Sequence, residues 1–194
     1  MVDDVGELTG AWDYATLPGN VVVGHDCFLE RRGSFERFVS RRDPGLVLGD
    51  RVTVYTWSGF GVEEDGLVEI GDDTVLVGSL IMCAERVIIG RAVVASYNVT
   101  IVDSDFHPLD PDLRREDTLA LAPASPRRRP RLDTQPVVID DGVWIGIGAT
   151  ILKGVHVGRE ARIGPGAVVT TDVAAGARVM GNPARLVEGE GRPW

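Results

Sequence analysis

The sequence predicts an all-β, single-domain parallel β-helix, a solenoid of short strands with a long extruded loop. Three observations lead there: a six-residue repeat, small residues at its turns, and an aliphatic composition poor in rings. From Ile139 to Gly181 the chain runs IDDGVW, IGIGAT, ILKGVH, VGREAR, IGPGAV, VTTDVA, AGARVM. First positions are Ile139, Ile145, Ile151, Val157, Ile163, Val169 and Ala175; fifth positions are Val143, Ala149, Val155, Ala161, Ala167, Val173 and Val179. A helix of 3.6 residues per turn would scatter these side chains around its surface, whereas a strand of period two points positions one and five to the same side. Gly and Asp between them suit a tight bend. Three hexads then make one coil of about 18 residues, stacked on the next at roughly 4.8 Å. A composition 44% hydrophobic but 6% aromatic fits a narrow interior filled by Val, Ile, Leu and Ala.

Taken in order, residues 1–20 lack the repeat and are expected to form an N-terminal cap, since an uncapped first coil exposes a sheet edge. The β-helix is expected over 21–181, with Val23 and Cys27 as positions one and five of a first hexad and Leu29 opening the next. An excursion follows at 31–45, basic, with Phe35 and Phe38 as candidate anchors. The repeat resumes at Leu48, blurs over Phe60–Glu69, and returns at Ile70, Leu76 and Met82. Ile89 comes seven residues after Met82, which places one extra residue near Glu85–Arg86. Ile89, Ala95 and Ile101 continue the phase, and a second excursion spans 107–136, rich in proline and arginine. Residues 182–194 form a C-terminal tail. A structureless loop of about 30 residues inside a compact domain is commonly functional or disordered, and a lumen one side chain deep leaves chemistry to the outer surface.

A net charge of -9 speaks against nucleic acid as a partner. Cys27 and Cys83 make neither a disulfide framework nor a zinc quartet, so no metal site is expected. No apolar run is long enough to span a membrane and no signal peptide opens the chain, which points to a cytoplasmic protein.

Of the three histidines, His25 and His156 fall beside turns as surface residues. His107 stands where the repeat stops, in DSDFHP, just after Asp103 and Asp105. Pro108 restricts its backbone to extended angles. A neutral imidazole is a natural general base near pH 7, and a neighbouring carboxylate, here Asp105, can set its tautomer. A capping or structural role for His107 is the alternative.

IGIGATILKGVHVGREARIGPGAVVTTDV followed by GNPARLV, together with SYNVTIVDSDFHP, resembles the hexapeptide-repeat acyltransferases over roughly residues 47–187. That family includes maltose and galactoside O-acetyltransferases and xenobiotic acetyltransferases. The resemblance implies a left-handed coil, an exception to the right-handed crossover rule. It implies transfer of an acyl group, with acetyl-CoA as the expected donor, directly to a hydroxyl or amine of a small-molecule acceptor such as a sugar or an antibiotic-like compound. His107 would be the base, with Asp105 beside it. Trp144, Gly146, Ile147, Gly148, Pro165, Thr170, Thr171, Asn182, Pro183 and Arg185 would line the CoA site between subunits of a homotrimer. Backbone N–H groups of 144–148 would meet the oxyanion. Two departures stand out: VTTD has Thr171 where galactoside-type enzymes carry Lys, and SLIMCAE offers Met82 and Cys83 where they carry Asn. Met82, Cys83, Asn98, Tyr55 and Trp57 are the expected acceptor contacts. A non-catalytic β-helix scaffold and a γ-class carbonic anhydrase are the competing readings. The latter needs a close pair of histidines, which positions 25, 107 and 156 do not supply.

Overall fold

The computed structural model describes residues 17–55, 57–122 and 125–187. The expected cap falls outside them up to residue 16, and so does the tail from 188 onward. What they form is a left-handed parallel β-helix with three walls. Wall one has six strands: Val21–Val23, Leu46–Leu48, Leu67–Ile70, Arg86–Ile89, Val137–Ile139 and His156–Val157. Wall two runs through Phe28–Leu29, Thr53–Tyr55, Val75–Val77, Val94–Ala95, Trp144–Ile145, Arg162–Ile163 and Arg178–Met180; Arg185–Leu186 closes it antiparallel. Wall three has five strands: Gly59–Val62, Leu80–Cys83, Thr100–Val102, Thr150–Ile151 and Val168–Val169.

The hexad code sets the register. Ile89, Ile139 and Val157 stack on wall one, Ala95, Ile145 and Ile163 on wall two, and Ile101, Ile151 and Val169 on wall three. All nine are buried, and so are the fifth-position residues Val143 to Val173. Each buried Val, Leu or Ile stabilises the coil by about 1.5–3 kcal/mol. Phe60 is the aromatic ring among the fully buried side chains. At the edge between walls one and two, Asp side chains of one coil accept N–H groups of the coil below: Asp50 from His25, Asp72 from Asp50, and Asp141 from Arg91. This is why Asp recurs at that hexad position, as Asp50, Asp72 and Asp141. Gly90 stands there because a Cβ on it would lie 2.6 Å from Asp141 Oδ1 and 2.7 Å from its backbone N.

The structure corrects the phase at two places. Ile81, not Met82, faces the lumen and stacks on Ile101; the strand Leu80–Cys83 turns Ile81 and Cys83 inward and Met82 outward. The extra residues therefore sit in the turn from Cys83 to Arg86. At the far end Val173 pairs with Val157 and Val179 with Ile163, so the last coil is shorter and Ala175 is exposed. The excursion after Arg31 forms a 3-10 turn, Arg32–Phe35, with Phe35 stacked on Phe60 at 5.4 Å between centroids, and Phe38 bridges Val62.

The second excursion is not structureless. It contains a helix, α1 (Pro111–Ala120), whose N-cap Asp110 accepts from the N–H groups of Asp112 and Leu113 while Pro111 takes the first turn. Its two legs meet at their base. Ser104 and Thr134 form an antiparallel bridge, and the Gln135 N–H donates to Asp103 O at 2.9 Å. The buried Asp103 carboxylate accepts the N–H groups of Ala84, Glu85 and Arg86, each at 2.8 Å.

Candidate functional site

His107 lies at the edge between walls three and one, where the excursion leaves the coil. Its N–H donates to Asp105 O at 2.7 Å across Phe106, which is held at a φ of 65°. A turn this tight through the left-handed region costs about 1–3 kcal/mol, a strain typical of functional sites. The imidazole is half exposed, and its Nδ1 lies 2.6 Å from Asp117 Oδ2 on α1.

The carboxylate that sets the tautomer is thus Asp117, not Asp105. The Asp105 side chain is turned away to Lys153, whose Nζ lies 2.7 Å from it and 2.5 Å from Asp133 Oδ2. Lys153 therefore clasps both legs of the excursion from the following coil. Asp105 acts on His107 through its backbone carbonyl, which takes the His107 N–H.

Asp117 is 0% exposed. Burial alone would push its carboxyl up, but hydrogen bonds from Arg129 and His107 outweigh this and hold it below the usual carboxylate range. Arg129 donates to Asp117 Oδ1 at 2.7 Å, to Glu63 Oε1 at 2.6 Å and to Phe106 O at 2.7 Å. An ionised carboxylate only accepts, so Nδ1 of a neutral His107 carries the hydrogen and Nε2 is left with the lone pair. The arrangement is a half-exposed imidazole, oriented by a buried anion whose charge is balanced by a fixed guanidinium. Sequence reasoning missed Asp117, Arg129, Glu63 and Lys153. The Asp110–Pro111 pair, a helix-start signal, was the clue to α1.

The other expected site residues divide between two edges of the prism. Thr170 and Thr171 are exposed on the His107 edge, in the turn from wall three toward wall one two coils farther on. Gly146, Ile147, Gly148 and Pro165 lie on the edge between walls two and three, where Gly146 packs so closely that a Cβ would meet Pro165 N at 2.8 Å. Asn98 and Trp57 share that edge, with Tyr55 at the end of its wall-two strand; Trp57 is 75% exposed and Ile147 50%. Trp144 lies half-buried on wall two, Asn182 and Pro183 belong to the turn after the last coil, and Arg185 opens the antiparallel strand that closes wall two. Met82 sits on wall three beneath Val102, at the root of the His107 segment. Cys83 is 1% exposed and faces the lumen, so it cannot touch an acceptor; burial pushes its thiol well up, which also argues against a nucleophile. Among the described residues no group of three His, Cys, Asp or Glu is arranged to hold a metal ion, and no helix is long and apolar enough to cross a membrane.

Comparison with known proteins bears on the fold and the repeat. Residues 136–171 match the bacterial transferase hexapeptide family (six repeats). A 53-residue stretch is 53% identical to 2,3,4,5-tetrahydropyridine-2,6-dicarboxylate N-acetyltransferase of Staphylococcus aureus (strain JH9). That match takes in 27% of this chain and 22% of the relative, so the chain spans about a fifth of the length of the curated relatives it matches. Among solved structures, a maltose O-acetyltransferase from Clostridium difficile 630 aligns over 71% of this chain and 66% of its own, at 26% identity and a TM-score of 0.57. A hexapeptide-repeat-containing acetyltransferase from Vibrio cholerae O1 biovar eltor, complexed with acetyl coenzyme A, aligns over 89% and 72% at 22% identity and a TM-score of 0.57. Residues 136–171 thus carry the hexapeptide repeat, within a fold similar to that of a solved bacterial acetyltransferase.

Proposed function

We propose that this protein is an acyl-CoA-dependent acyltransferase, with acetyl-CoA as the donor, a small molecule as the acceptor and His107 as its general base. The single observation that carries the reading is the His107–Asp117 pair at 2.6 Å, a half-exposed imidazole backed by a fully buried carboxylate at the mouth of an excursion. Nε2 of His107 takes the proton of an acceptor hydroxyl or amine as that atom attacks the thioester carbonyl. Asp117 stabilises the imidazolium while Arg129 keeps Asp117 ionised. The imidazolium then returns its proton to the departing thiolate. Base assistance of this kind contributes about 10²–10⁴-fold, and positioning of the two substrates adds to it. No acyl-enzyme forms.

The two-edge distribution supports a homotrimer. His107 and the glycine edge at Gly146–Gly148 belong to different edges of one prism, so a site using both is built from two copies, and a threefold ring closes with three such sites. The edge of Gly146, Ile147, Gly148 and Pro165, with Trp144, would hold the pantetheine arm. Thr170, Thr171, Asn182, Pro183 and Arg185 would meet the rest of CoA.

The test is thiol release from acetyl-CoA across a panel of hydroxyl and amine acceptors, with wild type beside His107→Ala. The variant should bind CoA and keep its oligomeric state while turnover falls by about two orders of magnitude or more. Near-normal turnover in the variant removes the base assignment. CoA binding without transfer to any acceptor favours the scaffold reading.

A further inference from the structure

A groove of about 770 Å³ runs along the His107 edge, between the arginine-rich strap at 127–131 and the turns at 63–65 and 84–85 of the two preceding coils. Its size is that of a small-molecule site. The two walls differ in chemistry. The strap presents Arg127, Arg128, Arg129 and Arg131, whereas the turns present Glu63, Glu64, Asp65 and Glu85.

Three of the four carboxylates are engaged within the protein. Glu63 is held by Arg129 at 2.6 Å, Glu64 by Arg41 at 2.8 Å, and Glu85 accepts the Thr134 hydroxyl at 2.6 Å. Arg127, Arg128 and Arg131 differ. Among the described residues none of the three has a carboxylate within 4.0 Å, and all line the groove. Like charges gathered without counter-ions repel one another, and an oxyanion relieves that repulsion through forked, two-point hydrogen bonds.

A molecule in this groove is not placed for transfer. The lining stops short of His107 and Asp117, and Arg129, with the buried Asp117 beyond it, stands between the groove and the Nδ1 side of the imidazole. The coils carrying Gly146–Gly148, Pro165 and Thr170 follow His107 in the stack, whereas the turns that line the groove precede it. The groove is thus apart from both the base and the residues expected to meet CoA.

We propose that the groove is a separate binding site for a small hydroxylated phosphate monoester. Arg127, Arg128 and Arg131 grip its phosphate, and its hydroxyls donate to the carboxylates of the facing turns, Asp65 and Glu85. Ionised carboxylates only accept, so that wall selects hydroxyls and repels a second anionic group; a polyphosphate is therefore excluded. The bound ester ties the strap to the coils beneath it. Arg129 stands within the strap, so a filled groove also holds in place the guanidinium that fixes Asp117. The site does not depend on the transferase reading.

The experiment is calorimetric titration with a hexose 6-phosphate, inorganic phosphate and the neutral hexose, all at one ionic strength set with sodium chloride. Wild type is set beside Arg127→Gln/Arg128→Gln/Arg131→Gln, whose substitutions are all at exposed positions. Wild type should bind the hexose 6-phosphate one-to-one, inorganic phosphate about tenfold more weakly, and the hexose not measurably. The variant should bind the ester about tenfold more weakly or worse. On wild type alone, the ester and not the hexose should slow trypsin cleavage within 127–131, a reading that does not require the variant to fold. Saturating CoA should leave the ester's affinity unchanged. Absence of binding by wild type, affinity that survives in the variant, or unchanged cleavage overturns the proposal. Inorganic phosphate bound as tightly as the ester overturns the hydroxyl wall, and displacement by CoA overturns the separate site by giving the groove to the donor.

Discussion

Asp117 comes ten residues after His107, yet its Oδ2 lies 2.6 Å from the imidazole Nδ1. The chain achieves this by leaving the coil at Pro108, capping a new helix with Asp110, and bringing the second turn of that helix back over the histidine. Arg129, returning on the other leg, then fixes the carboxylate from behind.

Replacing Asp117 with Asn should lower kcat by about 10²-fold or more while CoA affinity is kept, because an amide can present its N–H to Nδ1 and select the wrong tautomer. Steady-state kinetics with CoA titration reads both quantities. Unchanged kcat would remove Asp117 from the mechanism.

The same carboxyl should mark the acid limb of stability. Its folded pKa lies below the ordinary value of 3.8, so it releases its proton more readily when folded. The unfolded chain then binds more protons between the two values, and stability rises with pH across that interval. The contribution is fully present above about pH 4 and is lost as pH falls through the folded value. Melting temperatures from pH 2.5 to 6 should show wild type gaining on Asp117→Asn until about pH 4 and then running parallel to it. A constant difference throughout would refute the linkage.

Arg129 should be intolerant of shortening. Arg129→Met leaves Asp117 buried without its guanidinium and should cost about 3 kcal/mol, the low end for breaking a buried pair, since Arg129 is 20% exposed. Arg129→Lys should recover stability only in part, because an ammonium cannot span Asp117, Glu63 and the Phe106 carbonyl together. Urea unfolding separates the three proteins.

Lys153 should matter to activity more than to the coil. Lys153→Met removes the clasp on Asp105 and Asp133 and should speed trypsin cleavage within 127–131, with kcat about tenfold lower and the global melting temperature nearly unchanged. Lys153→Arg should restore most of both. Normal kcat together with faster cleavage would show that the clasp orders the strap without positioning His107.

Gly90→Ala tests the edge. The added methyl would lie 2.6–2.8 Å from the Asp140–Asp141 backbone and carboxylate, atoms fixed by the coil above, so destabilisation beyond about 2 kcal/mol is expected. A neutral substitution by thermal melts would mean that the coils can part locally.

The sequence by itself determined the solenoid, because a hexad needs only local information: an aliphatic every sixth residue, a small one at the bend, an Asp to hold the coil below. That is why Ile139 through Val169 fell into register as read, and why His107 could be singled out where the repeat stops. Phase errors arose where coils change length, at Ile81 against Met82 and at Val179 against Ala175, since neighbouring coils, and not the chain's own spacing, choose which residue turns inward. The partner of His107 was hidden for the same reason. On paper Asp105 is the nearby carboxylate, and only the folding back of α1, with Lys153 drawing Asp105 away and Arg129 fixing Asp117, put Asp117 against the imidazole instead. Buried charge is placed by contacts distant in sequence, and those belong to tertiary structure alone.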